Sequence, residues 1–107
     1  MIKKSSKNSS IFKSHIRNRV LFVEFKETRG SIDIKNVNKF SDVVNDGIKQ
    51  GIDSVRLDCG NLDFIDTSGL GKLLAFSKRM EVILVNVNPK IKKIMDITKL
   101  STFFKFE

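Results

Sequence analysis

The chain has 107 residues, a net charge of +8 and one cysteine, Cys59. This length suits one small domain, and a single cysteine excludes an intramolecular disulfide and fits a reducing compartment. The longest strongly apolar run, residues 82–85, is too short to span a bilayer. The basic N-terminus lacks the apolar stretch that a signal peptide requires. The composition therefore predicts a cytoplasmic domain.

The positive charge is concentrated near the N-terminus. Residues 1–20 contain six lysines or arginines and no acid, whereas the remaining 14 basic residues face all 12 acids. Serines and an asparagine between residues 5 and 10 are typical of a disordered segment. We therefore predict a basic, flexible leader over residues 1–19 and a folded domain over 20–107. We expect the leader to be solvated and to aid solubility, and transient contact with a membrane is the alternative. No direct contact with nucleic acid is expected.

Strand and helix patterns alternate along the body of the chain. Residues 20–25 are β-branched and aromatic, which predicts a first strand, and residues 31–34 predict a second strand that pairs with it as a hairpin. Apolar residues at helical spacing predict a helix over 37–50, with Asn36 or Asn38 as its cap.

The same alternation continues to the end of the chain. An apolar run that ends at Ile65 leads into the second helix, and an Asn-Pro pair at 88–89 starts the third. The predicted elements are a strand over 54–59, a helix over 68–79, a strand over 82–87, a helix over 89–98 and a strand over 102–106. The order β-β-α-β-α-β-α-β predicts one α/β domain. We expect a mixed, mostly parallel sheet of four to five strands with about three helices.

A hydroxyl group lies at the junction between the third strand and the second helix, in the segment Asp66-Thr67-Ser68-Gly69. The free N–H groups of a first helical turn can hold an anion, so Ser68 is placed where a phosphoryl group could be added and held. Helix capping is the alternative explanation of this serine and is worth about 1 kcal/mol. Asp66 or Thr67 can cap equally well, however. Four acids and one base between residues 53 and 71 predict an acidic site.

Three segments resemble the STAS domain, the fold of bacterial anti-sigma factor antagonists and of sulphate transporter tails. Their order and spacing agree with that family over about residues 20–106. The segments are Gly30-Ser31-Ile32-Asp33; the run from Leu57-Asp58 through Phe64-Ile65-Asp66-Thr67-Ser68-Gly69-Leu70-Gly71; and Leu84-Val85-Asn86-Val87-Asn88-Pro89, with Ile91 and later Ile97-Thr98-Lys99-Leu100.

The resemblance implies a regulatory binding module and not an enzyme. It implies a transcription regulator, an anti-sigma factor antagonist that sequesters an anti-sigma factor with serine kinase activity. The implied phosphorylation site is Ser68, with Thr67 as the alternative, and ATP is bound by the partner kinase. No catalytic residue, metal ligand or cofactor is expected. The competing hypothesis is a STAS subunit of a membrane transport or lipid-transport assembly, with the basic leader near anionic lipid. The implied partner-binding residues are Asp33, Asp66, Thr67, Ser68, Gly69 and Leu70.

Overall fold

A computed structural model of the chain describes residues 11–107. Strands and helices follow one another through this range, with a short 3-10 turn before the last strand. Their bounds are β1 Phe12–Arg17, β2 Val20–Phe25, β3 Gly30–Ile32, α1 Val37–Lys49, β4 Ser54–Asp58, β5 Leu62–Ile65, α2 Thr67–Ser77, β6 Glu81–Val85, α3 Pro89–Ile97, the 3-10 turn Ser101–Phe103 and β7 Lys105–Phe106.

Five strands form the main sheet in the order β1-β2-β4-β6-β7. β1 is antiparallel to β2, and the other neighbouring strands of this sheet are parallel. A second sheet contains β3 and β5, which are also parallel. The structure thus confirms the prediction of a single α/β domain with a mixed, mostly parallel sheet and three helices.

The hydrophobic core lies between one face of the main sheet and the helices. Alternate residues of β2, β4 and β6, such as Val23, Leu57 and Leu84, are buried in one cluster with the buried apolar side chains of all three helices. The helices therefore pack on the same face of the sheet. Ile83 alternates with these residues, faces the other way and is buried outside this cluster. Within residues 11–107, no helix has the length and apolar character needed to cross a membrane.

The strand β1 lies where the sequence predicted a flexible leader. It pairs with β2 from Phe12 opposite Phe25 to Arg17 opposite Val20. Phe12 is fully buried, and its ring centroid lies 5.1 Å from that of Phe25 and 5.7 Å from that of Phe40. The predicted boundary at residue 20 was therefore wrong, because the apolar side chains of this segment alternate at strand spacing and complete the core. Residues 1–10, the rest of the predicted leader, lie outside the described residues.

The second predicted strand has a different partner from the one expected. β3 pairs with β5 and not with β2. The predicted hairpin was wrong because β2 has β1 on one side and β4 on the other, which leaves no free edge for β3. Residues 62–65, predicted only as an apolar run before the helix, form β5.

The predicted helices agree with the observed ones to within two residues at each end. The Asn88 side chain caps α3 as predicted, since its Oδ1 accepts a hydrogen bond from the Ile91 N–H at 3.0 Å. Asn36 precedes α1 but makes no side-chain cap bond to that helix. The last predicted strand is shorter than expected, because residues 101–103 form the 3-10 turn.

Replacing Phe12 by alanine tests whether β1 belongs to the folded domain. We expect Phe12→Ala to lower the free energy of unfolding by about 3–5 kcal/mol, because it removes a fully buried ring from the core. Urea denaturation measures this loss. Phe103→Ala is the matched control: that ring is 50% exposed, so its removal should cost less than about 1 kcal/mol. Equal, small losses in both variants would contradict the assignment of β1 to the core.

Candidate functional site

The carboxylate of Asp66 joins the start of α2 to the loop that follows β3. Asp66 is the N-cap residue of α2, and its Oδ1 accepts a hydrogen bond from the Gly69 N–H at 3.0 Å. Its Oδ2 accepts a second bond, from the Ile34 N–H, also at 3.0 Å. One side chain therefore satisfies backbone donors from two segments that are far apart in sequence.

These hydrogen bonds keep Asp66 ionised. The Gly69 N–H has the largest effect on the carboxyl group and lowers its pKa below the ordinary value of 3.8, with smaller contributions from the N–H groups of Ile34 and Ser68. Partial desolvation acts in the opposite direction. A negative charge at a helix N-terminus is also favoured by the helix dipole. The site thus holds one fixed anion at neutral pH.

Thr67 and Ser68 are the first two residues of α2, directly after this cap. Thr67 is exposed and Ser68 is half-buried. Because the side chain of Asp66 caps the helix, neither hydroxyl is needed for that purpose. The capping explanation of Ser68 that the sequence left open therefore has no support in the structure.

Asp33 orders the loop between β3 and α1. Its Oδ1 accepts a hydrogen bond from the Lys35 N–H at 2.9 Å, and its Oδ2 accepts one from the Ser31 hydroxyl at 3.0 Å. The buried side chain of Asn36 fixes the same loop: its Oδ1 accepts from the Asp33 N–H, and its Nδ2 donates to the Ser31 carbonyl oxygen at 2.7 Å. The sequence indicated Asn36 only as a possible helix cap. The structure assigns it a role in holding the loop that reaches Asp66.

Gly69 and Leu70 serve packing. A Cβ atom at Gly69 would collide with the backbone carbonyl oxygen of Ile32 and would lie 2.7 Å from Cγ1 of Ile65, so only glycine lets α2 approach the small sheet this closely. Leu70 is 7% exposed and belongs to the hydrophobic core. Its side chain therefore faces the core in the first turn of the helix, and its role in partner binding stays a prediction.

Two exposed apolar side chains lie on the segments that meet at this site, and neither was predicted from the sequence to be functional. Ile34 is 70% exposed, and its backbone N–H is bonded to Asp66. Phe64 is 54% exposed on β5, two residues before Asp66. We call Ile34, Phe64, Thr67 and Ser68 the switch surface. One residue in the sequence could have indicated this surface. Phe64 is a large aromatic residue that stays exposed between Leu62 and Ile65, which are both buried.

The acids near Ser68 in sequence do not form one patch. Asp58 lies on β4, where its Oδ1 accepts a hydrogen bond from the Gly60 N–H at 2.9 Å. Asp53 lies 3.6 Å from the Arg19 guanidinium at the turn between β1 and β2. Asp53 and Asp58 therefore have partners of their own, and the acids on the segments that reach Ser68 are Asp63 on β5, Asp66 and Asp33.

Other reactive groups are absent from the switch surface. Cys59 is buried, and burial together with the charge of Asp58 raises the pKa of its thiol to about 12. The thiol is therefore protonated and a poor nucleophile. Among residues 11–107, no three His, Cys, Asp or Glu side chains are grouped so that they could hold a metal ion.

The family model of the STAS domain matches residues 12–107, and the chain belongs to this family. The match begins at the first residue of β1, in agreement with the structural start of the domain.

Solved structures of anti-sigma factor antagonists share this fold. A putative antagonist from Thermotoga maritima is 22% identical, with a TM-score of 0.76 over 89% of this chain and 84% of that one. The antagonist SpoIIAA in its unphosphorylated form is 19% identical, with a TM-score of 0.68 over 90% of this chain and 86% of that one. The Bacillus cell fate determinant SpoIIAA in its phosphorylated form is 20% identical, with a TM-score of 0.66 over 90% of each chain. No curated protein matches the chain in sequence.

The two glycines at the start of α2 provide a matched test of the packing described above. We expect Gly69→Ala to lower the free energy of unfolding by about 1–3 kcal/mol, because the new methyl group overpacks against the Ile32 backbone. A Cβ at Gly71 meets nothing within 4 Å, so Gly71→Ala should raise stability by about 0.5–1 kcal/mol. Thermal and urea unfolding of both variants would show these opposite signs, and a stabilising Gly69→Ala would refute the close approach.

The Asp66 cap predicts a specific dependence of stability on pH. Because the folded-state pKa of Asp66 is lowered, its stabilising contribution is present at neutral pH and is lost as the pH falls through and below 3.8. We expect Asp66→Asn to lose less stability than the wild type on acidification, since asparagine caps without titrating. Urea denaturation over a pH series measures the difference. Asp63→Asn controls for the removal of one carboxylate, and equal slopes for wild type and Asp66→Asn would contradict the prediction.

Proposed function

We propose that this chain is an anti-sigma factor antagonist whose binding is switched by phosphorylation of Ser68. Membership of the STAS family supports the proposal, as do fold relatives described as antagonists, of which one is known in unphosphorylated and phosphorylated forms. The partner is an anti-sigma factor with serine kinase activity, which supplies ATP and the catalytic groups. The chain itself acts as a regulatory binding module for transcription.

The observation that carries the proposal is the division of roles between Asp66 and Ser68. Asp66 caps α2, so the Ser68 hydroxyl stands at a helix N-terminus without being needed to start the helix. The Asp66 carboxylate already accepts from the N–H groups of this first helical turn, so a phosphate on Ser68 would leave the cap in place. The serine is therefore suited to carry a phosphate while the fold stays intact. Thr67 is the alternative acceptor, because it is exposed in the same turn.

The exposed side chains of the switch surface suit a protein partner. Ile34 and Phe64 offer exposed apolar area to a docking protein, and exposed apolar area can mark a site of protein interaction. Asp33 and Asp66 fix the backbone at Ile34, because they accept hydrogen bonds from the N–H groups of Lys35 and Ile34, respectively. In the unphosphorylated state, a partner meets apolar groups and a neutral hydroxyl.

Phosphorylation changes the charge of this surface. A phosphoserine adds about −1.5 to −2 charges at neutral pH. Asp66, two residues before Ser68, is already an anion, and its carboxylate accepts the hydrogen bond from the Gly69 N–H that a phosphate would otherwise bind. A partner surface matched to the neutral hydroxyl would then suffer charge repulsion and desolvation. Phosphorylation thus blocks binding at the interface, without refolding.

Substitution of Ser68 tests the switch. We expect Ser68→Ala to recover the same anti-sigma factor from extracts of the source cells as the unphosphorylated wild type. Ser68→Asp should recover it at least about tenfold less, because one added charge costing about 1.4 kcal/mol lowers affinity by that factor. Both variants should keep the wild-type free energy of unfolding within about 1 kcal/mol. Affinity capture with quantitative mass spectrometry measures recovery, and phosphopeptide mapping locates the phosphate.

Two further variants locate the surface. Phe64→Ser removes an exposed ring from the switch surface and should weaken recovery, whereas Phe103→Ser removes a ring of similar exposure elsewhere and should not. Equal recovery by the alanine and aspartate variants of Ser68, with no phosphate on Ser68 or Thr67, would reject the antagonist function. Recovery of membrane transport subunits in place of an anti-sigma factor would favour the transport-assembly function instead.

A further inference from the structure

A second surface, which shares no residue with the switch surface, lies along β1. In the part of the chain that the structure describes, β1 is an outer strand of the main sheet and is six residues long. An edge strand of this length presents backbone N–H and C=O groups that can pair with another extended chain.

The backbone groups that face this edge follow from the register. The Lys26 N–H donates to the Ile11 carbonyl at 2.9 Å, which makes Ile11 and Lys26 a hydrogen-bonded pair of the antiparallel ladder. Hydrogen-bonded and non-bonded pairs alternate in such a ladder. The odd-numbered residues of β1 therefore bond to β2, and Ser14 and Ile16 direct their peptide groups away from it.

The side chains of β1 give the edge a strong positive character. Lys13, His15 and Arg17 alternate along the face of the sheet that bears no helix packing, and all three are exposed. β1 contains no acid. Lys13 lies 3.8 Å from Glu24, but both side chains are more than half exposed, so this ion pair is weak and open to exchange. His15 stacks on Phe22, with ring centroids 4.9 Å apart.

The same charges disfavour a second copy of this chain. A symmetric antiparallel pairing of two β1 strands aligns side chains of the same face. Lys13, His15 and Arg17, which we call the basic row, would then lie directly beside the same three residues of the other copy. Like charges opposite each other across a strand pair are destabilising. A partner strand with carboxylates at alternate positions would meet Lys13 and Arg17 favourably. Its intervening residues would lie beside Ile16, which packs against the core and is only partly covered.

We propose that β1 binds an extended segment of another protein in which acidic and apolar residues alternate, and that this segment adds to the main sheet as a further strand. Backbone hydrogen bonds to Ser14 and Ile16 supply the pairing, and the basic row selects the acidic sequence. This inference is independent of phosphorylation at Ser68, because β1 and the switch surface share no residue.

Synthetic peptides test the proposal on the full-length chain. The probe is a capped heptapeptide, Thr-Glu-Val-Glu-Val-Glu-Thr, and its control replaces each glutamate by lysine. We expect the acidic peptide to shift the backbone amide NMR signals of Ser14 and Ile16 most, and to bind at least about tenfold more tightly than the basic control. Lys13→Glu combined with Arg17→Glu should reverse this preference.

A proline variant separates backbone pairing from general charge attraction. Ser14→Pro removes an N–H that faces the free edge and leaves the bonds to β2 in place, whereas Ser14→Ala keeps that N–H. We expect binding of the acidic peptide to be lost in the proline variant and kept in the alanine variant. If Ser14→Pro fails to fold, intermolecular nuclear Overhauser contacts between the wild-type β1 and the peptide decide the point. Equal binding of both peptides, binding of neither, or a dimer of this chain through β1 would overturn the proposal.

Discussion

The carboxylate of Asp66 is the interaction on which the site depends. It accepts one hydrogen bond from the first turn of α2 and one from the loop after β3, and so it holds together two segments whose strands form only a small sheet. Asp33 and Asn36 give that loop a shape that can reach the carboxylate. The close fit at Gly69 has the same effect, since it brings α2 against the backbone of β3.

This arrangement separates the structural role of Asp66 from the regulatory role proposed for Ser68. The helix is capped by an acid with a lowered pKa, which leaves the neighbouring hydroxyl groups available for modification. A permanent anion at the helix start also limits how well a second anion can be satisfied there. Under the proposed function, a phosphate on Ser68 would therefore act most strongly on a partner that docks against the exposed side chains of Ile34 and Phe64.

The charge distribution of the chain gives its two candidate surfaces opposite characters. The switch surface carries apolar groups and hydroxyls beside the anion of Asp66, whereas the edge of β1 carries Lys13, His15 and Arg17 and no acid. The net charge of +8 is therefore not spread evenly, and partners of different chemistry are expected at the two places.

The sequence alone determined the α/β alternation, the start of α2 near Ser68 and the cap of α3 at Asn88, because helix starts depend on contacts within a few residues. The tertiary structure alone decided which strands pair. β2 is flanked by β1 and β4, so β3 pairs with β5, which lies about thirty residues further along the chain. It also decided that Phe12 completes the core and that Leu70 points inward. Local patterns cannot establish these features, because each depends on which edges and cavities the rest of the chain leaves open.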